Sequence, residues 1–370
     1  MNYDDNFDLY SVSTRKGSTS KRKKLRRTVN ILASIILCLS VLLTGVMGVG
    51  IWALGMEINN DVEVEQGDFE DLVVSSNSKV SYILVVGVDP KETLTDIIII
   101  ACIDHEKNTL NFLQIPRDTY IGDDVPTKKV NAVHGNPRKG EAKINALRRR
   151  LSSYFGIPLD HYVKFTIRGF ANVIDALDGI TVNIETKNSK GIDIMDPFTK
   201  KHERIGPGVV TLTGRQAVGF VRKRTGTSDG YYKGDIDRIE AQREVYVSLA
   251  KKLQKMSGSQ MLKIAQNCYS EISTDMSIGQ ILGYAEEVQE IPMESMGIYA
   301  VPGQFCNYNG LSMWSPHKDE YVQMFNTYFN PHGAPITTSD IQMIELHKKL
   351  GQSTRPSEVE QGGALSNVKK

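Results

Sequence analysis

The chain has 370 residues, with 44 Lys+Arg against 43 Asp+Glu and 40% apolar residues. That is ordinary globular composition, and it excludes a disordered or fibrous class. The overall balance hides an asymmetry, because residues 1–27 carry eight basic residues and only three acidic ones.

The basic block runs directly into residues 28–56, TVNILASIILCLSVLLTGVMGVGIWALGM, a stretch without a charge. A bilayer core needs about 20 apolar residues, whereas a signal-peptide core has about 7–15. A single transmembrane helix is therefore predicted over 28–56. A cleaved signal is the rival, since Ala53-Leu54-Gly55 has small residues at cleavage-site spacing. Cations on the N-terminal flank keep that end in the cytoplasm and send everything after Glu57 outside. So close to the membrane, they suit topology and anionic headgroups better than nucleic acid. Residues 57–78 read as an extracytoplasmic spacer, 79–350 as a globular domain and 351–370 as a flexible tail.

From Lys79 onward, strands and helices alternate. VSYILVVGVD and TDIIIIACID are apolar runs without polar alternation, as expected of strands covered on both faces, and TLNFLQI follows the turn-like HEKN. Next come a helical GEAKINALRRRLSSYF, a strand HYVKFTI, a helix RGFANVIDAL closed by Gly179, and a strand GITVNIE. TLTGRQAVGFVR is predicted as a helix capped by Thr213, and residues 235–256 as a long amphipathic helix with Ile236, Ile239, Tyr246 and Leu253 on its buried face. The pattern predicts an α/β class, an α-β-α sandwich around a mixed sheet.

Residues 220–244, FVRKRTGTSDGYYKGDIDRIEAQRE, concentrate charge in one short segment. Arg222 and Arg224 point the same way only in extended backbone, so the chain is expected to leave the helix before Arg222. Asp235, Arg238 and Gln242 share one helix face at i, i+3 and i+7. Arginine forks of this kind suit phosphate oxygens; surface ion pairs with Asp229, Asp235, Asp237 and Glu240 are the alternative. Arg117, in IPRDTY, follows a buried strand where strand ends face a ligand crevice, with Asp118 available to orient it. Asp89 closes one strand and Asp96 opens the next. Their carboxylates either hold Mg2+ together, or Asp89 simply caps the turn before Pro90. Lys129 is a phosphate contact or a solvated lysine. Phe165, Ile167, Phe170, Val173, Ile174 and Leu177 suit either a slot for an apolar tail or ordinary core.

No HExxH, GxSxG or CxxC occurs. Cys38 falls in the span and Cys102 in a buried strand, while Cys268 and Cys306 would face an oxidising exterior and could pair.

The blocks YILVVGVD, TDIIII, LQIPRDTY, KKVNAVHG, DHYVKFTIRGFANVIDALDGITVNI, LTGRQAVGFVRKR and GDIDRIEAQRE occur in the order found in the LytR–CpsA–Psr family, which the chain resembles over roughly residues 80–255. The resemblance implies an extracytoplasmic phosphotransferase of a Gram-positive-type cell. It would move a teichoic acid or capsular polysaccharide from a polyprenyl pyrophosphate carrier to peptidoglycan. It also implies Mg2+ (or Mn2+) on Asp89 and Asp96, and a pyrophosphate held by Arg117, Lys129, Arg222, Arg224, Arg238 and Gln242. Arg117, Asp96 and Asp235 would be catalytic, one of the two aspartates serving as base. The expected partners are the lipid-linked polymer, peptidoglycan and membrane lipid, with no nucleic acid. A polyprenyl-pyrophosphate pyrophosphatase, a non-catalytic lipid-pyrophosphate binder and a transcription attenuator are the alternatives; for the last, the 27-residue tail offers no helix-turn-helix. The chain departs from the family between the two aspartates, where the loop is only PKETLT. Lys91 and Leu94 or Thr95 stand where the family has arginines.

Overall fold

The computed structural model describes residues 79–186, 189–223, 235–253, 271–277, 280, 283–284, 287–288, 290–359 and 362–364. Side chains at 235–240, 250, 251, 253, 293 and 364 fall outside that description. The proposed span 28–56 also lies outside the described residues, and among those described no helix is long and apolar enough to cross a membrane.

A seven-stranded mixed sheet organises the domain. Strands β1 (Val80–Val88), β2 (Thr95–Asp104) and β3 (Thr109–Gln114) form an antiparallel meander. β4 (His161–Thr166) runs parallel to β1 and carries β9 (Ile272–Thr274) at the edge. On the other side, β10 (Met296–Ala300) runs parallel to β3, and β13 (Gly363–Ala364) closes that edge. All nine residues of β1 are buried, as the unalternating apolar run predicts for a strand covered on both faces.

Each face of the sheet has its own core. Ile83, Val85, Ile97 and Ile99 pack against α2 (Ile167–Ala176), α3 (Gly214–Arg222) and α4 (Asp235–Leu253). Leu84, Val86, Ile98 and Ile100 pack against α1 (Lys143–Phe155) and α5 (Lys318–Tyr328). Odd and even positions thus serve opposite layers, as the two-residue period of a strand requires. The caps match the sequence. Thr213 and Gln216 form a reciprocal capping box at the start of α3, and Gly179, at φ +79°, donates its N–H to Ile174 C=O behind α2.

Three features differ from expectation. GITVNIE does not join the main sheet; β5 (Ile180–Ile184) pairs with β8 (Gly208–Leu212) in a separate two-stranded sheet. The hairpins β6 (Ile192–Met195) with β7 (His202–Ile205), and β11 (Gly303–Tyr308) with β12 (Leu311–Pro316), complete the strands. The third is the segment expected to be a flexible tail from 351, part of which, among the described residues, is anchored to the domain instead. Val359 is 4% exposed beside Trp314, and β13 hydrogen-bonds the edge of β10. The polar composition of that segment conceals two anchors, an apolar side chain and a free sheet edge that accepts any backbone.

Candidate active site

The meander places the first pair of functional residues. In β2–β3 the register Ile99↔Gln114 is continued by Ile115 N–H donating to Ile98 C=O. Three residues further along, that register sets Arg117 opposite Asp96. Arg117 Nη1 pairs with Asp96 Oδ1. The side chains of both residues are only 10% exposed, so the pair lies largely out of water.

Arg222 arrives from the other layer. It is the last residue of α3, which therefore runs through Arg222 instead of ending before it, and the chain turns extended at Lys223 (φ −57°, ψ 129°). Arg222 Nη1 lies 3.0 Å from Asp96 Oδ2. One carboxylate thus holds two guanidinium groups side by side. The angle to Oδ2 makes no hydrogen bond: Asp96 Oδ2 and Arg117 Nε are both buried without a hydrogen-bond partner among the described residues. Buried polar atoms without partners call for an explanation, and a bound ligand or ion is one that fits two guanidinium groups at one carboxylate.

Beside this cluster lies an apolar slot. Phe165, Ile167, Phe170, Val218 and Val221 line it together with Asp96, Arg222 and Gln242. Its open volume is only about 20 Å³, room for about one water. Gly87 is small by necessity, since a Cβ there would come within 2.9 Å of the Phe165 ring. Of the residues expected at such a slot, Val173, Ile174 and Leu177 are ordinary buried core.

The remaining expected residues divide. Gln242 is buried, and its Oε1 accepts from Gln114 Nε2 at 2.5 Å; Gln114 was missed, although it lies two residues before Pro116 in the LQIPRD block. Lys129 is held by Asp118 at 2.9 Å. Asp118 therefore orients Lys129 and not Arg117, whose carboxylate partner is Asp96. Backbone α4 begins at Asp235, but Arg224 and the side chains of Asp235 and Arg238 lie outside the described residues. So does Cys268. Cys306 is a free, buried thiol, packed with Tyr120, Met313 and Leu346. Lys91 is exposed, and Leu94, at 36% exposure, is the largest apolar group on the short loop.

Asp89 caps its own turn, its Oδ1 accepting from Thr93 N–H and Leu94 N–H at 2.7 Å each. Partial burial raises its pKa, but these amides outweigh that and hold it below the usual value. A β-bulge at Gly87/Val88 re-aims the end of β1 toward this loop. Among the described residues no three His, Cys, Asp or Glu side chains cluster as a metal site. Asp89 Oδ2 has a 3.3 Å contact from Thr93 Oγ1, and Asp96 Oδ2 makes no hydrogen bond among the described residues but faces Arg222 Nη1 at 3.0 Å, so a cation there would take the place of that guanidinium. A hard cation that keeps waters and bridges to phosphate needs no more than such carboxylates from the protein.

His134 lies on the loop behind Glu92. It is fully buried, its Nδ1–H donates to Glu92 C=O at 3.2 Å, and Nε2 is buried without a hydrogen-bond partner among the described residues. Burial and the charge of Lys164 push its pKa down. The unfolded chain takes up that proton near pH ~6.5, while the folded chain resists it. The stability this contributes is complete above pH ~6.5 and lost as pH falls toward the lowered folded value. Unfolding free energies from denaturant titrations between pH 7.5 and 5.5 should decline by up to about 1.4 kcal/mol per pH unit, and His134→Gln should flatten that part of the profile.

The chain thus presents a mixed α/β fold with paired arginines beside an apolar slot. The chain belongs to the LytR_cpsA_psr family, whose model matches residues 54–330. It is similar to the polyisoprenyl-teichoic acid–peptidoglycan teichoic acid transferases TagU and TagV of Bacillus subtilis strain 168. Identity to TagU is 26% over 261 residues, 67% of this chain and 79% of that protein. Identity to TagV is 27% over 316 residues, 81% of this chain and 74% of that protein. A crystal structure of a Streptococcus agalactiae protein shares the fold, with a TM-score of 0.60 and 22% identity over 74% of this chain and 95% of that one.

Proposed function

We propose that the protein transfers a glycopolymer from a polyprenyl pyrophosphate carrier to a sugar hydroxyl of peptidoglycan, forming a phosphodiester. The observation that carries this reading is Asp96 holding Arg117 and Arg222 together against the apolar slot. Charged head and apolar tail of one ligand thereby have adjoining places. The similarity to teichoic acid transferases supports it. At about 20 Å³ the slot does not hold a polyprenyl chain as it stands, so this reading requires the slot to widen on binding.

In the reaction the acceptor hydroxyl oxygen attacks the phosphorus that carries the glycopolymer. The bond from that phosphorus to the bridging oxygen breaks, and polyprenyl phosphate leaves with the electron pair. Arg117 and Arg222, released from Asp96 by the incoming phosphates, neutralise charge on the phosphate oxygens. Asp96 accepts the hydroxyl proton. Asp89 and Asp96 would hold Mg2+ (or Mn2+), which when bound supplies further charge neutralisation at the phosphates. The charge-free segment 28–56 and the basic block before it support a single-pass membrane protein with the catalytic domain outside.

Incubating the full chain in detergent with a lipid-linked glycopolymer and peptidoglycan tests this. Glycan covalently attached to peptidoglycan is the expected product. Release of phosphate alone would identify a pyrophosphatase, and neither product a binder.

A further inference from the structure

The loop that carries Arg117 continues into a second, polar pocket. Tyr120 is three residues beyond Arg117 and pairs with Lys129 in an isolated bridge. The pocket has an open volume of about 320 Å³, and its polar lining includes Asp123, Asp124, Arg150, Gln342 and Lys349. This is enough room for a sugar ring with its substituents.

Its charges cancel. Asp123 meets Lys128 at 2.6 Å and Lys349 at 2.8 Å, and Asp124 pairs with Arg150. Arg150 also donates to Ile121 C=O at 2.8 Å, and its Nε is buried without a hydrogen-bond partner among the described residues. Gly122, at φ +129°, leaves no space for a side chain here, as a Cβ would lie 2.7 Å from Asp124 Oδ1 and 2.9 Å from Arg150 Nη2. A cavity lined by internally neutralised acids and bases repels neither sign strongly and favours neither. It offers hydrogen-bond donors and acceptors in quantity, which suits a polyhydroxylated, weakly charged ligand better than a phosphate.

The position selects which saccharide. Phe165, Ile167, Phe170, Val218 and Val221 of the slot belong to the core on one face of the sheet. The pocket's Ile121 and Tyr154 belong to the core on the opposite face. Phosphoryl transfer keeps attacking and leaving oxygens roughly in line, so an acceptor approaches from the side away from the departing polyprenyl phosphate. Gln342 and Lys349 come from beyond residue 330, where the family match ends, so this wall is an addition to the matched domain.

We propose that this pocket binds a saccharide of the acceptor glycan strand; the assignment rests on the transferase reading above. The probe is a set of uncross-linked peptidoglycan fragments released by a muramidase, titrated into the full chain. The double variant Asp124→Asn with Gln342→Ala changes two exposed side chains. It should weaken fragment binding about tenfold, the effect of losing two hydrogen bonds of ordinary strength. Retention of polyprenyl pyrophosphate and melting temperature should be unchanged. Gln342→Ala alone, which leaves the Arg150 pair intact, should show a smaller loss in the same direction. Equal fragment affinity in wild type and double variant would overturn the proposal. So would loss of donor retention with fragment binding intact, which would give the pocket to the donor's sugars. Wild-type protein that retains lipid but binds no fragment refutes the subsite alone, whereas wild-type protein that does neither refutes the transferase reading beneath it.

Discussion

Replacing Arg117 and Arg222 together by alanine is expected to weaken retention of a polyprenyl pyrophosphate by about two to four powers of ten. Each charge-assisted contact to phosphate contributes ~1.5–3 kcal/mol, and ~1.4 kcal/mol is a factor of ten. The fold has its own stake in one of the two. Arg117 and Asp96 are both 10% exposed, so the double variant leaves a largely buried carboxylate without a counter-charge, and the melting temperature should drop by several degrees. Arg222 is 35% exposed, and Arg222→Ala alone should cost little stability while still losing ligand. Arg222→Lys keeps the charge but not the planar fork, and should recover only part of the affinity. Mass spectrometry of lipid copurified with the full chain, beside thermal melts of the same samples, separates these effects. If the arginines only form structural ion pairs, Arg222→Ala would retain lipid fully, and the assignment of this cluster would be wrong.

The sheet was legible because its strands are hydrophobic on both faces and bounded by turn residues, and nothing else forms from VSYILVVGV with TDIIIIACID. Even the pairing of Asp96 with Arg117 was available in principle. The short HEKN turn fixes the register of β2 against β3, and continuing that register opposes the two residues. Reading them separately, as a metal ligand and a phosphate contact, concealed the link. Arg222 was legible as chemistry but not as geometry. Its helix persists through Arg222 because Val218 and Val221 have apolar partners to pack against, a tertiary fact with no local signal. Asp89 had two roles open to it, and the structure shows the turn cap, leaving one oxygen over. The segment after Gly351 looked like a tail because its anchor is a backbone edge, and a strand edge accepts almost any sequence. The polar pocket was invisible for a similar reason: its walls come from residues 120–124, 150–154 and 342–349, which no spacing rule connects.

Asp96→Asn distinguishes a catalytic carboxylate from a structural one by splitting binding from turnover. The amide keeps the shape of the side chain but loses the charge that holds Arg117 and Arg222 in the ligand-free protein. Both guanidinium groups are then freed from a competing anion, so a pyrophosphate should bind as tightly as before or more tightly. On the proposed mechanism transfer should nevertheless fall by about 10²-fold or more, since the carboxylate proposed to accept the hydroxyl proton is gone and one of the two proposed to hold Mg2+ is lost with it. A modest fall in melting temperature should accompany this, because two neighbouring cations lose their shared partner. The measurement pairs lipid retention with glycan transfer to peptidoglycan on the same preparation. A carboxylate that only braces the arginines gives another pattern, with weaker retention and transfer reduced in proportion. Full transfer by Asp96→Asn, or full wild-type transfer in excess chelator, would remove Asp96 from the proton step or the metal from the site, respectively.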